Sequence, residues 1–120
     1  MLIEIKKIQK IARICHNVNK AYCESLGDNS QLSWDEISID IKGSAVIGVR
    51  KVLENPSITP EDIHKEWMDY KIKEGWIYGI NKDNVKKTHP CLMPYNELPI
   101  EQKAKGFIFI AIIRQLEDII

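Results

Sequence analysis

Aromatic rings and charged side chains crowd the stretch between residues 64 and 95. Trp67 and Trp76 have flat, rigid faces on which a base can stack, and stacking contributes about 1–3 kcal/mol per base. Neighbouring lysines can meet phosphate as point charges, and an arginine can make two parallel hydrogen bonds to it. We select ten candidate ligand-binding residues: Arg50, Trp67, Lys71, Trp76, Tyr78, Lys82, Asp83, Lys87, His89 and Tyr95.

Most of these residue types are also common in structural roles. Trp67 lies in a helical segment, where a tryptophan is more often a core anchor than a stacking surface. His64 shares that helix face and favours a structural role. A lysine such as Lys87 is commonly a solvent-exposed surface residue. His89 and Cys91 are expected to stabilise the conformation of their loop. Both interpretations stay open for each residue.

No catalytic pattern accompanies these residues. The sequence has no glycine-rich phosphate loop, no nucleophile elbow and no pair of zinc-binding motifs. His89 and Cys91 flank Pro90 and point apart, which is a poor geometry for sharing a metal ion. We therefore predict no metal, no cofactor and no catalytic residue. The chain is expected to bind a ligand and not to be an enzyme.

Length and composition set the class of protein. The 120 residues include 44% hydrophobic and 28% charged residues, which is typical of a single globular domain. Seventeen basic and seventeen acidic residues cancel, so neither nucleic acid nor a membrane is an expected partner. The first fifteen residues carry regularly spaced charges and lack the apolar core of a signal peptide. The three cysteines are an odd number, which favours reduced thiols over disulfides, and we predict a cytoplasmic protein.

Apolar residues recur every three or four positions in much of the chain, which predicts an all-α fold of three to four helices. The predicted helices cover residues 5–26, 41–54, 60–74 and 99–118. Thr59 and Pro60 favour a helix start, and Gly75 favours a helix end. Residues 76–98 contain prolines and glycines, so we expect an irregular loop with a small β element. The apolar run at 107–113 has a β-strand as the competing prediction.

A dense run of residues at fixed spacings occupies the second half of the chain. It reads H-x-x-W from His64, G-W-x-Y-G from Gly75, and K-D-x-x-x-K-x-H-P-C-L-x-P-Y-x-x-L-P from Lys82. This order resembles the RyR domain, the module repeated in ryanodine receptor channels, over residues 55 to about 110. Upstream residues resemble the extension of stand-alone bacterial and phage members. Residues 37–41 and Gly106 depart from the pattern of those relatives.

The resemblance implies a ligand-binding or interaction module, with a nucleotide-type small molecule as its ligand. It also implies one RyR-type domain over residues 1–120, with a helical extension at 1–54 and the motif core at 55–120. Repeats occur in pairs in the channels, so a single repeat with an apolar last helix predicts a homodimer. The expected role is that of a sensor or a sequestering protein.

Two other functions are compatible with the same residues. The first is a protein-interaction module whose loop of tryptophan, tyrosine and proline binds a partner peptide or a second copy, without a small-molecule ligand. The second is hydrolysis of a bound nucleotide by Asp83, Glu97 or His89, for which no motif is present. Nucleotides distinguish these alternatives. The interaction module is expected not to bind them, and the hydrolase is expected to turn them over.

Overall fold

The computed structural model describes residues 2–119, and the side chains of residues 4–119. Its regular structure consists of four helices, two short strands and two single turns of 3-10 helix. The helices are α1 (Leu2–Ser25), α2 (Ile39–Glu54), α3 (Pro60–Lys73) and α4 (Ile100–Leu116), the strands are β1 (Ile77–Tyr78) and β2 (Thr88–His89), and the 3-10 turns are Trp34–Glu36 and Tyr95–Glu97. The prediction of a mainly helical fold with a small β element is confirmed.

The chain divides into two compact units, which we describe separately. The first comprises Met1–Ser57 and Ile108–Ile120, and the second comprises Ile58–Phe107. The first unit contains α1, α2 and the end of α4, and the second contains α3, both strands and the start of α4. The single domain with an extension at 1–54 stays a prediction. No helix in the described part of the chain is long and apolar enough to cross a membrane.

Aliphatic side chains from three helices make the core of the first unit. Ile11 of α1, Val49 and Val52 of α2, and Ile113 of α4 have no exposed surface. Each such burial contributes about 1.5–3 kcal/mol relative to exposure. Cys15 of α1 is also buried, and burial raises the pKa of its thiol to about 12. The thiol is therefore protonated at neutral pH, as expected for a cysteine that packs and does not react.

The apolar run at 107–113 is helical, so the competing prediction of a strand is wrong. Within the first unit, the Phe109 ring comes within 3.3 Å of the position that a Cβ atom on Gly48 would occupy. Near the end of the same helix, the Arg114 guanidinium donates to the carbonyl oxygen of Asn55 at 2.9 Å. The bond satisfies a carbonyl just beyond the end of α2.

α3 begins at the predicted Pro60 and ends at Lys73, one residue before the predicted end. The Thr59 hydroxyl accepts a hydrogen bond from the Asp62 amide at 3.2 Å, and the Asp62 carboxylate accepts one from the Thr59 amide at 3.0 Å. This reciprocal cap satisfies two amides at the helix start. At the other end Gly75 has φ +90°, and the Trp76 amide donates to the Lys71 carbonyl at 3.0 Å. The glycine turn thus returns Trp76 to the end of α3.

The two strands form a small parallel sheet in the second unit. Ile77 pairs with Thr88, and Tyr78 pairs with His89. The connecting loop is tight, because Asp83 and Thr88 form an antiparallel bridge within it. The sequence predicted short extended pairs in this region but not their partners or direction.

Gly106 lies where α4 meets the first residue of α3. A Cβ atom on Gly106 would lie 2.9 Å from the Cβ atom and 3.1 Å from the Cα atom of Pro60. A side chain at position 106 would therefore require the two helices to shift apart. The departure of Gly106 from the acid that is common in the resembled pattern is thus explained by close packing.

Candidate functional site

Five rings meet in the second unit, and we call them the aromatic cluster: His64, Trp67, Trp76, His89 and Tyr95. The Trp67 ring centroid lies 5.6 Å from that of His64 and 5.0 Å from that of His89. Tyr95 packs against His64 at 6.0 Å, and Trp76 packs against His89 at 6.4 Å. The Trp67 ring therefore contacts both histidines. Four of the ten candidate residues belong to this cluster.

Hydrogen bonds fix both histidines of the cluster. His64 Nε2 donates to the carbonyl oxygen of Met93 at 2.7 Å. His89 Nδ1 accepts from the Cys91 amide at 3.0 Å, so in the neutral ring the proton lies on Nε2. The Cys91 thiol donates in turn to Gln102 Oε1 at 3.5 Å. These bonds hold the segment that follows β2 in one shape.

Lys71 brings positive charge to the edge of the aromatic cluster, beside Trp76. The Lys71 ammonium lies 4.6 Å from the centroid of the Trp76 ring, within the range of a cation–π contact. Burial lowers the pKa of Lys71, and the charge of Lys82 lowers it further. Glu74 acts in the opposite direction, and Lys87 adds a smaller lowering. Positive charge is therefore in excess around this tryptophan.

Lys87 has a backbone conformation that is rare for a residue with a side chain. Its φ of 56° lies in the left-handed region. Its ammonium group donates to the carbonyl oxygen of Glu74 at 2.7 Å. The bond satisfies a carbonyl at the end of α3 and places positive charge where the helix dipole favours it. The ammonium that was predicted to meet phosphate is thus bonded to the protein.

Two substitutions of Lys87 separate backbone strain from the loss of this bond. We expect Lys87→Gly to relieve about 1 kcal/mol of backbone strain and to lose about 1 kcal/mol of stability with the hydrogen bond to Glu74. The free energy of unfolding should therefore change little. Lys87→Ala keeps the strain and loses the bond, and should be about 1 kcal/mol less stable than wild type. Urea unfolding followed by tryptophan fluorescence measures both variants. Equal stabilities would contradict strain at this residue.

The Asp83 carboxylate is bonded within the loop between the strands. One of its oxygens accepts from the amides of Lys86 at 3.0 Å and Val85 at 2.9 Å, and these bonds lower the pKa of Asp83. The Thr88 hydroxyl donates to the carbonyl oxygen of Asn81 at 2.8 Å and braces the same loop. Asp83 therefore shapes the loop, and its contact with a ligand stays a prediction.

Four candidate residues lie outside the cluster and are exposed: Arg50, Tyr78, Lys82 and Lys87. Tyr78 and Lys82 belong to the second unit, whereas Arg50 lies on α2 in the first unit. Arg50 is thus in a different unit from the other nine candidates, and its role stays a prediction. Within the described residues, no group of three or more histidine, cysteine, aspartate or glutamate side chains could hold a metal ion.

Two further contacts between a cation and a ring were not predicted from the sequence. The Lys103 ammonium lies 5.6 Å from the Tyr95 ring centroid in the second unit. In the first unit, Trp34 contacts the His16 ring at 5.9 Å and the Lys42 ammonium at 5.8 Å. An open groove of about 480 Å³ is lined there by Gln9, Trp34, Ile39, Lys42, Gly43 and Val46. In both pairs the ring belongs to a 3-10 turn and the lysine, eight residues later, belongs to the α-helix that follows. The periodicity of a single helix therefore does not predict these contacts.

A family model described as RyR domain matches residues 49–111, which is more than half of the 120-residue chain. The chain belongs to the RyR domain family. The RyR match runs from α2 into α4 and includes the aromatic cluster and all ten candidate residues. The family membership predicted from the motif is therefore confirmed, and the matched range contains all five rings of the aromatic cluster.

Proposed function

We propose that this RyR-domain chain binds a nucleotide-type small molecule and acts as a sensor or a sequestering protein. The observation that carries the proposal is the contact between Lys71 and Trp76. The ammonium lies 4.6 Å from the ring centroid, and the pKa of Lys71 is lowered by burial and by Lys82. A nucleotide has a group that suits each of the two residues. Its flat base can stack on the Trp76 ring, and its anionic phosphate can pair with the Lys71 ammonium.

A phosphate group would offset the repulsion among these lysines. The lowered pKa of Lys71 means that its surroundings disfavour the charged ammonium. Lys82 is exposed and contributes positive charge from the loop, while Glu74 contributes the opposing negative charge. An anion bound beside Lys71 would favour the charged form. The lysines therefore support phosphate as one part of the ligand.

The partly exposed Trp76 ring supports a base as the other part. Trp76 is half-buried, and Tyr78, two residues along the chain, has 54% of its surface exposed. Trp67 is also half-buried, but two rings contact it, His64 at 5.6 Å and His89 at 5.0 Å, whereas Trp76 has one ring contact, with His89 at 6.4 Å. We propose that the base stacks on Trp76 and that Trp67 keeps the site in shape.

We propose binding without turnover. The Asp83 carboxylate accepts two backbone amides, and His89 Nδ1 accepts the Cys91 amide. Both groups are therefore engaged in shaping the backbone, which argues against a role in activating water. The homodimer, the cytoplasmic location and the absence of nucleic-acid and membrane partners stay predictions.

Isothermal titration calorimetry with ATP, ADP-ribose, NAD and cyclic AMP tests the proposal. We expect at least one of them to bind, and Lys71→Met to weaken that binding about tenfold or more, because a charged hydrogen bond contributes about 1.5–3 kcal/mol. Trp76→Ala should weaken it by a similar factor through lost stacking. Lys10→Met removes an exposed lysine of α1 and should bind like wild type. The proposal is wrong if none of the four binds, or if both variants bind undiminished.

The same titrations provide a second readout through protonation. The pKa of Lys71 lies below its usual value in the free chain, and a bound anion raises it. Binding should therefore take up protons at pH values between the free and the bound pKa. Affinity should fall as the pH rises through that window. Calorimetry in buffers of different ionisation enthalpy measures the uptake, which Lys71→Met should abolish.

A further inference from the structure

The open groove of the first unit is built around Trp34, and we call it the Trp34 groove. Contacts with α1 fix this tryptophan, because its amide donates to Asn17 Oδ1 at 3.1 Å and its ring meets the His16 ring at 5.9 Å. His16 Nε2 in turn donates to the carbonyl oxygen of Leu32 at 2.7 Å. The Trp34 ring is therefore held in place before any ligand binds, which lowers the entropic cost of binding.

One stripe of α2 forms another side of the Trp34 groove. Four residues of α2 at the spacing of adjacent helical turns line it: Ile39, Lys42, Gly43 and Val46. Gln9 of α1 and Trp34 complete the lining. The groove is thus mostly apolar, with one aromatic ring, one amide and one ammonium group.

Gly43 leaves the groove open. A Cβ atom on Gly43 would have no atom within 4 Å, whereas one on Gly48 would meet Phe109 at 3.3 Å and one on Gly106 would meet Pro60 at 2.9 Å. Gly43 also has no positive φ. A glycine within a helix lowers its stability relative to alanine, so neither packing nor backbone conformation explains this one. A glycine at such a position lets a ligand approach the backbone closely.

The charge of the Trp34 groove is that of Lys42, the only charged residue among the six that line it. Its ammonium lies 5.8 Å from the Trp34 ring centroid, near the outer limit of a cation–π contact. Within the described residues, no carboxylate forms an ion pair with this ammonium. Asp40 and Glu36 are close in sequence but do not line the groove, and Glu36 accepts the Ser33 hydroxyl at 2.7 Å. Lys42 can therefore bind an anion that enters the groove.

We propose that the Trp34 groove binds a small aromatic carboxylate. Its volume of about 480 Å³ and its apolar lining with a few polar groups are typical of small-molecule sites. The ligand's ring would pack against the Trp34 ring and the Gly43 backbone, and its carboxylate would bond to the Lys42 ammonium. The Gln9 amide can donate to the same carboxylate. None of these residues belongs to the proposed nucleotide site, so the inference does not depend on it.

NMR titration of the full chain with indole-3-acetate tests this inference. Two further probes carry the same ring: indole-3-acetamide is neutral and tryptamine is a cation. We expect indole-3-acetate to shift the Gly43 amide signal and the Trp34 indole signal until they saturate. Indole-3-acetamide should bind about tenfold more weakly, because only the acid forms a charged hydrogen bond with Lys42. Tryptamine should bind more weakly still, since its ammonium is repelled by that of Lys42.

Two variants alter the Trp34 groove in different ways. Lys42→Met removes the charge, and should weaken the binding of indole-3-acetate about tenfold while affecting indole-3-acetamide much less. Gly43→Leu places a side chain in the open space, and should weaken the binding of both by about tenfold or more. Leucine is a better helix former than glycine, so the fold is retained. Lys86→Met changes an exposed lysine of the second unit and is the control, which should bind like wild type.

Three results would overturn the inference: no saturable shift with up to about 5 mM indole-3-acetate, equal binding of the acid and tryptamine, or undiminished binding of the acid by Gly43→Leu. Binding of a peptide that ends in a tryptophan carboxylate, without binding of the free acid, would overturn it as well. If indole-3-acetate binds and no nucleotide does, the proposed nucleotide function fails and this inference stands. The reverse result removes the inference alone.

Discussion

We expect Gly79→Ala to lower the free energy of unfolding of the second unit by about 2–3 kcal/mol. A Cβ atom on Gly79 would lie 2.5 Å from the Cβ atom of Thr88. Thr88 cannot easily move away, because its hydroxyl donates to the Asn81 carbonyl and its backbone exchanges two hydrogen bonds with Asp83. The clash must therefore separate β1 from β2 or distort the loop between them. Urea unfolding monitored by tryptophan fluorescence measures the loss.

Two further variants make the Gly79 result specific. Gly43→Ala is the control, because no atom lies within 4 Å of its added Cβ and alanine stabilises a helix interior by about 1 kcal/mol. The double variant Gly79→Ala/Thr88→Gly removes every Thr88 atom that would clash. It should recover part of the loss, with a coupling energy of about 1–3 kcal/mol. An unchanged urea midpoint for Gly79→Ala would show that the strands do not approach as closely as described.

The helix ends of the second unit could be predicted because their signals are local. Thr59 and Pro60 start α3, and Gly75 ends it with a positive φ, as the residue types required. The last helix begins at Ile100, one residue after the expected Pro99, and ends at Leu116. Such shifts arise because the terminal turns depend on contacts beyond the helix itself.

The pairing of the strands could not be predicted in the same way. Ile77 and Thr88 are eleven residues apart, and nothing in their types specifies a parallel register. Lys87 is a clearer case, because a lysine in the left-handed region contradicts its own preference. Its conformation is maintained by the pairing on one side and by the bond to the Glu74 carbonyl on the other. Both are long-range consequences of the fold.

The sequence could predict which residues of the candidate site lie close together, but not which contacts each of them makes. Trp67, His89 and Tyr95 do come together, as a dense motif leads one to expect. Residue types alone could not indicate that the Asp83 carboxylate and the Lys87 ammonium are bonded to nearby backbone groups. Hydrogen bonds of this kind depend on the final path of the loop.

Trp67→Ala is expected to cost about 3 kcal/mol of stability, because it removes the ring around which the aromatic cluster packs. The ring is half-buried, so we expect a loss at the low end for a tryptophan. Trp76→Ala should cost about 1–2 kcal/mol, since Trp76 lies at the edge of the cluster and its main ring contacts are with Lys71 and His89. Urea unfolding of the two variants compares these losses directly.

The ring signals of His64 and His89 show whether the loss arises within the cluster. Their centroids lie 5.6 Å and 5.0 Å from that of Trp67, so Trp67→Ala should shift both histidine spectra in solution NMR. Trp67→Phe, which keeps an aromatic ring, should restore most of the stability. If nucleotide binding is lost in Trp67→Ala and recovered in Trp67→Phe, the ring supports the site by packing. Binding that stays lost in a folded Trp67→Phe chain would instead indicate direct contact between the indole and the ligand.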